Sequence, residues 1–518
     1  MNPSFNLLDE KWLPVRYIDG RVEEIGLLQL FADSQQISAL AETAPPNLIA
    51  LYRLLLAITH RAFARKFGSW AVRDMVRYYR EGLPVEAIQE YLEYWRERFF
   101  VFHPEFPFMQ VAALATADET CKKSKSWSQI ALACSNGNAP VLFDHAVDTA
   151  PTAISPSQAI CHLLGLLQFT PGGLVKTLRD SDKAGALANT AAALPVGDTI
   201  SQTLALALHP SRHGADKDLP AWEKTPPDIA ALCGEPTLAT GPNDRYSRLS
   251  RAVLFLPDTE AGEKVSHLRF AAGLALAEDE HAPDLMASYR AGSNGMVRLG
   301  FSDGRAIWRD LPTLLPDPSG KHALPAAVLS FANELLEHEG AAGKYLSVMV
   351  LGLASDQAKL LRWRAERFLL PQRLLSQDAA AELRNYLQQA EELSGKLRKT
   401  AATMLAKAMP DSEHKDTRNR ARAIFDNGPA SASYFSCLER HLPRLLDLIA
   451  TNELDGADAH WNAAQLSAAR DAWEAVCRQL GDNARALRAR AQAEPFYFGL
   501  IKPLRAESEF TLKEVSHV

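Results

Sequence analysis

Apolar positions change period repeatedly along the first two thirds of the chain. Short runs such as Ala252-Val253-Leu254-Phe255-Leu256 and Met296-Val297-Arg298-Leu299-Gly300-Phe301 read as strands bounded by Gly, Pro and Asp. Residues 47 to 66 carry apolar side chains at helical spacing, and so do residues 156 to 169. Leu346-Ser347-Val348-Met349-Val350-Leu351-Gly352-Leu353 reads as a strand. Ala354-Ser355-Asp356-Gln357 then offers turn residues before Ala358-Lys359-Leu360-Leu361, which predicts a hairpin with Gln357 near its tip. From about residue 367 the pattern becomes that of long amphipathic helices: residues 379 to 387, a stripe of Leu393, Leu397, Met404 and Met409, another of Leu438, Leu442, Leu445, Leu446 and Ile449, and a last one of Leu466, Ala469, Trp473, Val476 and Leu480. Asp426-Asn427-Gly428-Pro429 and Asp455-Gly456 supply turns between them. The expected fold is α+β: a large irregular mixed α/β domain over residues 1–366, an antiparallel four-helix bundle over 367–510 and a tail over 511–518, with Pro371 favouring the break.

Composition narrows this picture without redirecting it. A chain of 518 residues exceeds what one hydrophobic core organises, so at least two domains are expected. With 47% hydrophobic and 23% charged residues it has the balance of a globular protein in water. The first residues show no basic and apolar leader pattern, and no window approaches 18 uninterrupted apolar residues, so a cytoplasmic protein without membrane contact is expected. Six scattered cysteines form neither a CxxC pair nor a Cys/His cluster, so no disulfide framework, metal or cofactor is expected. Net charge is −6, against a protein that coats nucleic acid non-specifically, but residues 361 to 510 hold 22 Lys and Arg against 20 Asp and Glu. Any nucleic-acid contact must therefore be local.

Catalytic constellations are missing. Neither Gly320-Lys321 nor Gly343-Lys344-Tyr345 completes a phosphate-binding loop, and no GxSxG elbow or HExxH helix occurs. Asp144-His145 is the one tempting acid/base pair, yet adjacent residues on an extended segment point to opposite faces, and turn or cap hydrogen bonds explain such an Asp as well. Three other features stay open between a structural and a binding role. Gly172 and Gly173, after the 156–169 helix, are either a plain helix stop or a place where backbone approaches a ligand closely. The hairpin tip at Gln357 is either a surface reversal or a polar wedge between base pairs. Basic side chains of the helical region, Lys396, Arg398, Lys399 and Lys407, either solvate a face or meet a nucleic-acid strand.

The order of several strings carries a resemblance. Asn6-Leu7-Leu8 followed by Trp12-Leu13-Pro14-Val15, the segment His103-Pro104-Glu105-Phe106-Pro107-Phe108-Met109-Gln110, the block Leu142-Phe143-Asp144-His145, Pro220-Ala221-Trp222 and Gly352 to Lys359 together resemble, over nearly the whole length, the CasA-type large subunits of type I-E CRISPR surveillance complexes (Cascade). The resemblance implies a subunit without catalysis, one copy per complex. It would read the short motif flanking a target (the PAM) in duplex DNA from the minor groove, wedge the duplex open to start an R-loop, and offer a docking surface to the Cas helicase-nuclease. Carried onto this sequence, it implies a glycine loop at Gly172 and Gly173, a basic finger at Arg269 where the family pattern has Lys, and a wedge of Asp356, Gln357 and Ala358. It further implies a loop at Ser135, Asn136, Gly137 and Asn138 that anchors the subunit at the 5′ handle of the CRISPR RNA, and a bundle face at Lys396, Lys399 and Lys407 beside displaced single strand or neighbouring subunits. The implied partners are subunits of the CasB, CasC, CasD and CasE types. A scaffold subunit of the same complex, without DNA readout, is the competing reading.

Overall fold

The computed structural model describes residues 2–132, 148–173, 175, 177–210, 217–258, 264–279, 281–293, 295–340, 345–356 and 359–515. The chain is α+β, as expected, and divides into two compact units. The first comprises residues 1–301, 322–342 and 346–369; the second comprises 302–321, 343–345 and 370–518. No helix among the described residues is long and apolar enough to cross a membrane.

The first unit is built around the helix Pro45–Phe67, whose 17 buried residues include Tyr52, Leu55, Ile58 and Phe63. Its start is set by Pro45 and Pro46, which fit a first helical turn where amides lack partners. The helix Pro156–Phe169 packs on it. That helix has the sequence signature of a clean start: Ser155 accepts from the amide of Gln158, and the Gln158 side chain accepts from the amide of Ser155. Small antiparallel sheets surround the pair. Leu13–Tyr17 lies between Val22–Ile25 and Ile37–Leu40; Val265–Ala272 lies between Lys125–Ser126 and Arg251–Pro257; and Tyr345–Asp356 lies between Ala191–Val196 and Lys359–Pro371. One fully buried ion pair ties helix to sheet region: Arg53 binds Asp284, and its other arm donates to Gln168 Oε1 at 2.6 Å. Gln168 in turn donates to the Tyr246 carbonyl at 2.8 Å, so the last turn of the 156–169 helix is fixed before the chain leaves it.

The second unit contains the helices Gln377–Ala408, Lys415–Asn427, Pro429–Thr451, Leu454–Leu480 and Ala484–Val515. Buried Trp461 donates to the Tyr386 carbonyl at 2.9 Å, Tyr434 to the Ala390 carbonyl at 2.9 Å, and Trp473 stacks on Tyr497 with ring centres 4.4 Å apart. Four of these helices are long, but their segmentation corrects the sequence expectation. Residues 379 to 387 and the stripe from Leu393 to Met404 belong to one helix, which runs unbroken through residues 388 to 392, and Met409 is its C-cap. Asp455 and Gly456 open the helix Leu454–Leu480 instead of preceding it. The fourth long helix, Ala484–Val515, had no counterpart in the apolar pattern; it runs through Pro495 and Pro503. Residues 302–321 also join this unit. Arg309 grips Glu391 with two hydrogen bonds at 2.7 and 2.8 Å and lies over the Phe435 ring, while Arg305 reaches both Asp310 and Glu391. Burial alone would raise the Glu391 carboxyl; the hydrogen bonds and charges of Arg309 and Arg305 outweigh it and hold it below the usual carboxylate range.

Candidate nucleic-acid interface

The glycine loop follows from how the 156–169 helix ends. Thr170 caps it in a non-helical conformation, and Pro171, Gly172 and Gly173 run on along the surface with both glycines exposed. Gly173 has φ +145°, a conformation L side chains rarely adopt, and a β-carbon there would meet open space, so the requirement for glycine is in the backbone. At Gly172 a β-carbon would sit 3.3 Å from the Ala184 amide nitrogen and 3.4 Å from the Asp182 carbonyl oxygen, a tight fit against the segment behind.

That segment is a brace. Gly173 and Asp182 exchange backbone hydrogen bonds at 3.0 and 2.8 Å. The buried Asp182 carboxylate accepts from Arg251 at 3.0 Å, from the Gly273 amide at 2.9 Å and from the Lys183 amide at 2.9 Å; Arg179 lies 3.4 Å away. Arg251, its side chain 4% exposed, spends its other arm on the Pro171 carbonyl at 2.6 Å. Burial lowers the Arg251 pKa, and the Asp182 charge opposes that shift without cancelling it. Sequence reasoning missed both residues. The available signal was an arginine opening an otherwise apolar strand, a position that demands a buried acid somewhere in the fold.

Arg269 lies on the strand Val265–Ala272, three residues before Ala272, whose amide donates to the Thr177 carbonyl near the glycine loop. Its guanidinium is engaged inward, donating to the carbonyls of Leu114 at 3.1 Å and Cys121 at 2.9 Å. Reaching a DNA groove would cost it those charge-assisted bonds, about 1.5–3 kcal/mol each. The hairpin is present as strands Tyr345–Asp356 and Lys359–Pro371, with Asp356 at the end of the first; Gln357 and Ala358 lie outside the described residues. Its first strand pairs Gly352 with Ala191, and a β-carbon on Gly352 would come 2.3 Å from the Thr190 carbonyl oxygen. Residues 182 to 191 therefore connect the brace of the glycine loop to the first strand of the hairpin. Ser135, Asn136, Gly137 and Asn138 lie outside the described residues, as do Asp144 and His145.

In the second unit, Lys396, Lys399 and Lys407 share an exposed stripe of the helix Gln377–Ala408 with Thr403, at spacings of three, four and four residues. Lys407 donates to Gln492 at 3.0 Å, whereas Arg398 turns aside to pair with Asp426. Among the described residues, no group of three or more His, Cys, Asp or Glu could hold a metal ion. What the first unit presents at Gly172 and Gly173 is exposed backbone without side chains, held from behind by Asp182 and Arg251.

Comparison with known proteins gives this geometry a family. The family model of CRISPR-associated protein Cse1 matches residues 6–483. A CRISPR-associated protein CasA/Cse1 of Thermus thermophilus is 32% identical over 515 residues, 97% of this chain and 98% of that protein. A crystal structure of Thermus thermophilus CasA superposes with a TM-score of 0.83 at 31% identity, covering 96% of this chain and 100% of the other. A chain of a CRISPR RNA-guided surveillance complex shares the fold with a TM-score of 0.74 at 23% identity, over 96% of this chain and 100% of that one. The chain belongs to the Cse1 (CasA) family of CRISPR-associated proteins.

Proposed function

We propose that this chain is the target-recognising large subunit of a CRISPR RNA-guided surveillance complex, built with CasB-, CasC-, CasD- and CasE-type subunits around a guide RNA. It reads the motif flanking the target from the minor groove and has no catalytic site. The observation that carries this is the exposed Gly172-Gly173 backbone, held from behind by Asp182 and Arg251. A side-chain-free surface of this kind lies flat against a groove floor, and because the minor groove offers a degenerate code, such a reader tolerates several flanking sequences. Gln357, at the tip of the adjoining hairpin and flanked by Asp356 and Ala358, then enters the base stack. Opening the first step costs a few kcal/mol and is offset as guide RNA pairs with the target strand. The helical unit lies along the displaced strand, and the subunit offers the docking surface for a helicase-nuclease.

Binding of labelled target duplex to the assembled complex tests this. Gly172→Asp places a carboxylate against phosphates and is expected to abolish the preference for the correct flanking motif; Gln357→Ala is expected to leave motif binding and slow strand opening at least tenfold. Wild-type motif preference and opening in both variants would leave only a scaffold role.

A further inference from the structure

We propose a phosphate-binding platform at Lys122, Lys123 and Lys125, which seats the backbone of the same duplex that the glycine loop reads, with Arg269 as its positioning residue. This rests on the reading above and adds a site to it. Residues 122 to 125 are all exposed, three of the four are lysines, and none of the three pairs with a carboxylate among the described residues. Free ammonium groups on a mobile loop would amount to a solvated surface. Here the backbone is fixed at both ends. Cys121 and Lys123 close turns on Ala117 and Thr120, and the Thr120 hydroxyl donates to the Leu114 carbonyl at 2.8 Å. Arg269 donates to that same carbonyl and to Cys121, and Lys125 pairs with Leu268 in the sheet. Arg269 thus ties residue 114 to residue 121, an arrangement that fixes the backbone from which the three lysines project.

The platform shares a strand with the glycine-loop brace. Lys125 stands opposite Leu268, and the Gly273 amide, five residues on, donates to Asp182. Five strand residues span about 17 Å, about half of a duplex turn. In this proposal a duplex seated on Gly172 and Gly173 runs along that strand, so that its backbone passes the lysines about five base pairs away, where phosphates, and not base edges, are within reach of their flexible arms.

The test is fluorescence anisotropy of a labelled duplex titrated with the assembled complex at several salt concentrations, with matching and mismatching flanking motifs. K122A/K123A/K125A is expected to weaken binding roughly tenfold on every duplex, to reduce the slope of log K against log salt by about 2.7, and to keep the ratio between motifs. Arg269→Ala should reproduce part of that loss, again with the ratio kept. Unchanged affinity and slope in the lysine variant, while Gly172→Asp still destroys motif preference, would overturn the platform and leave the readout intact; no effect of either would overturn both. Loss of guide-RNA assembly with DNA binding retained would make the ligand RNA and refute the proposal. A flattened motif preference in Arg269→Ala would make Arg269 a reader and remove its positioning role.

Discussion

His60 lies on the inner face of the helix Pro45–Phe67, its ring stacked on His209 with centres 3.8 Å apart and its Nδ1 accepting from the Asn243 amide group at 2.9 Å. An amide NH2 only donates, so the contact requires a neutral ring at that nitrogen. Burial, with the Arg61 charge adding to it, lowers the His60 pKa to about 3. The unfolded chain takes up a proton near the ordinary value of about 6.5, so the unfolded state binds more protons at every pH between the two. Stability contributed by the neutral ring is complete above about 6.5 and is lost below it, at about 1.4 kcal/mol per pH unit down to the folded pKa. Denaturant titration should show about 2 kcal/mol less stability at pH 5 than at pH 7 from this one group. His60→Gln, which cannot titrate, should flatten that part of the profile; an equal slope in the variant would assign the loss elsewhere. From sequence His60 was legible as a helical residue and nothing more, because its partners sit some 150 residues and more further along the chain.

At the scale of elements, the brace behind the glycine loop makes the sharper forecast. Asp182→Ala would leave Arg251 buried without its carboxylate, which costs about 3–5 kcal/mol when one partner of a buried pair is removed. It would also free the Pro171–Gly173 backbone. Asp182→Asn keeps an oxygen for the Gly273 amide and should cost less. Urea unfolding of the full chain reads the difference, and a loss under about 1 kcal/mol for Asp182→Ala would mean that the loop is held by its backbone hydrogen bonds alone. The elements around this brace were the legible ones. Ser155-Pro156 with Gln158 announces a helix start, the run Ala252–Leu256 fits the strand Arg251–Pro257, and the alternation from Leu346 onward fits the hairpin strand. The failures have identifiable causes. Residues 379 to 387 and the stripe from Leu393 read as two helices, yet the buried Leu387, Ala390, Leu393 and Leu397 hold one helix together through tertiary packing. Pro495 and Pro503 argue against a helix that Ala489, Ala493, Tyr497 and Ile501 nevertheless bury along one side. The brace itself was illegible because Asp182 and Arg251 meet across 69 residues, and no local pattern records such a pairing.

For the whole molecule, charge has to be reconciled with a nucleic-acid partner. A net charge of −6 gives long-range repulsion from DNA, so attraction must come from a few placed cations. The same logic applies to the helical unit, where Lys396, Lys399, Thr403 and Lys407 line up over about 16 Å of helix, while Arg398 is withdrawn into its pair with Asp426. Only the stripe was legible in advance, through helical spacing; the withdrawal of Arg398 depends on Asp426 arriving from the next helix. If the stripe meets displaced single strand, each lysine that neutralises a phosphate adds about 0.7 to the salt slope. K396A/K399A/K407A in the assembled complex should therefore lower the slope for a single-stranded probe by about 2 and leave the slope for an unopened duplex unchanged. A stripe that only solvates the helix predicts no change in either. A loss on the duplex alone would place the lysines against double-stranded DNA and would contradict the assignment of this face to the displaced strand.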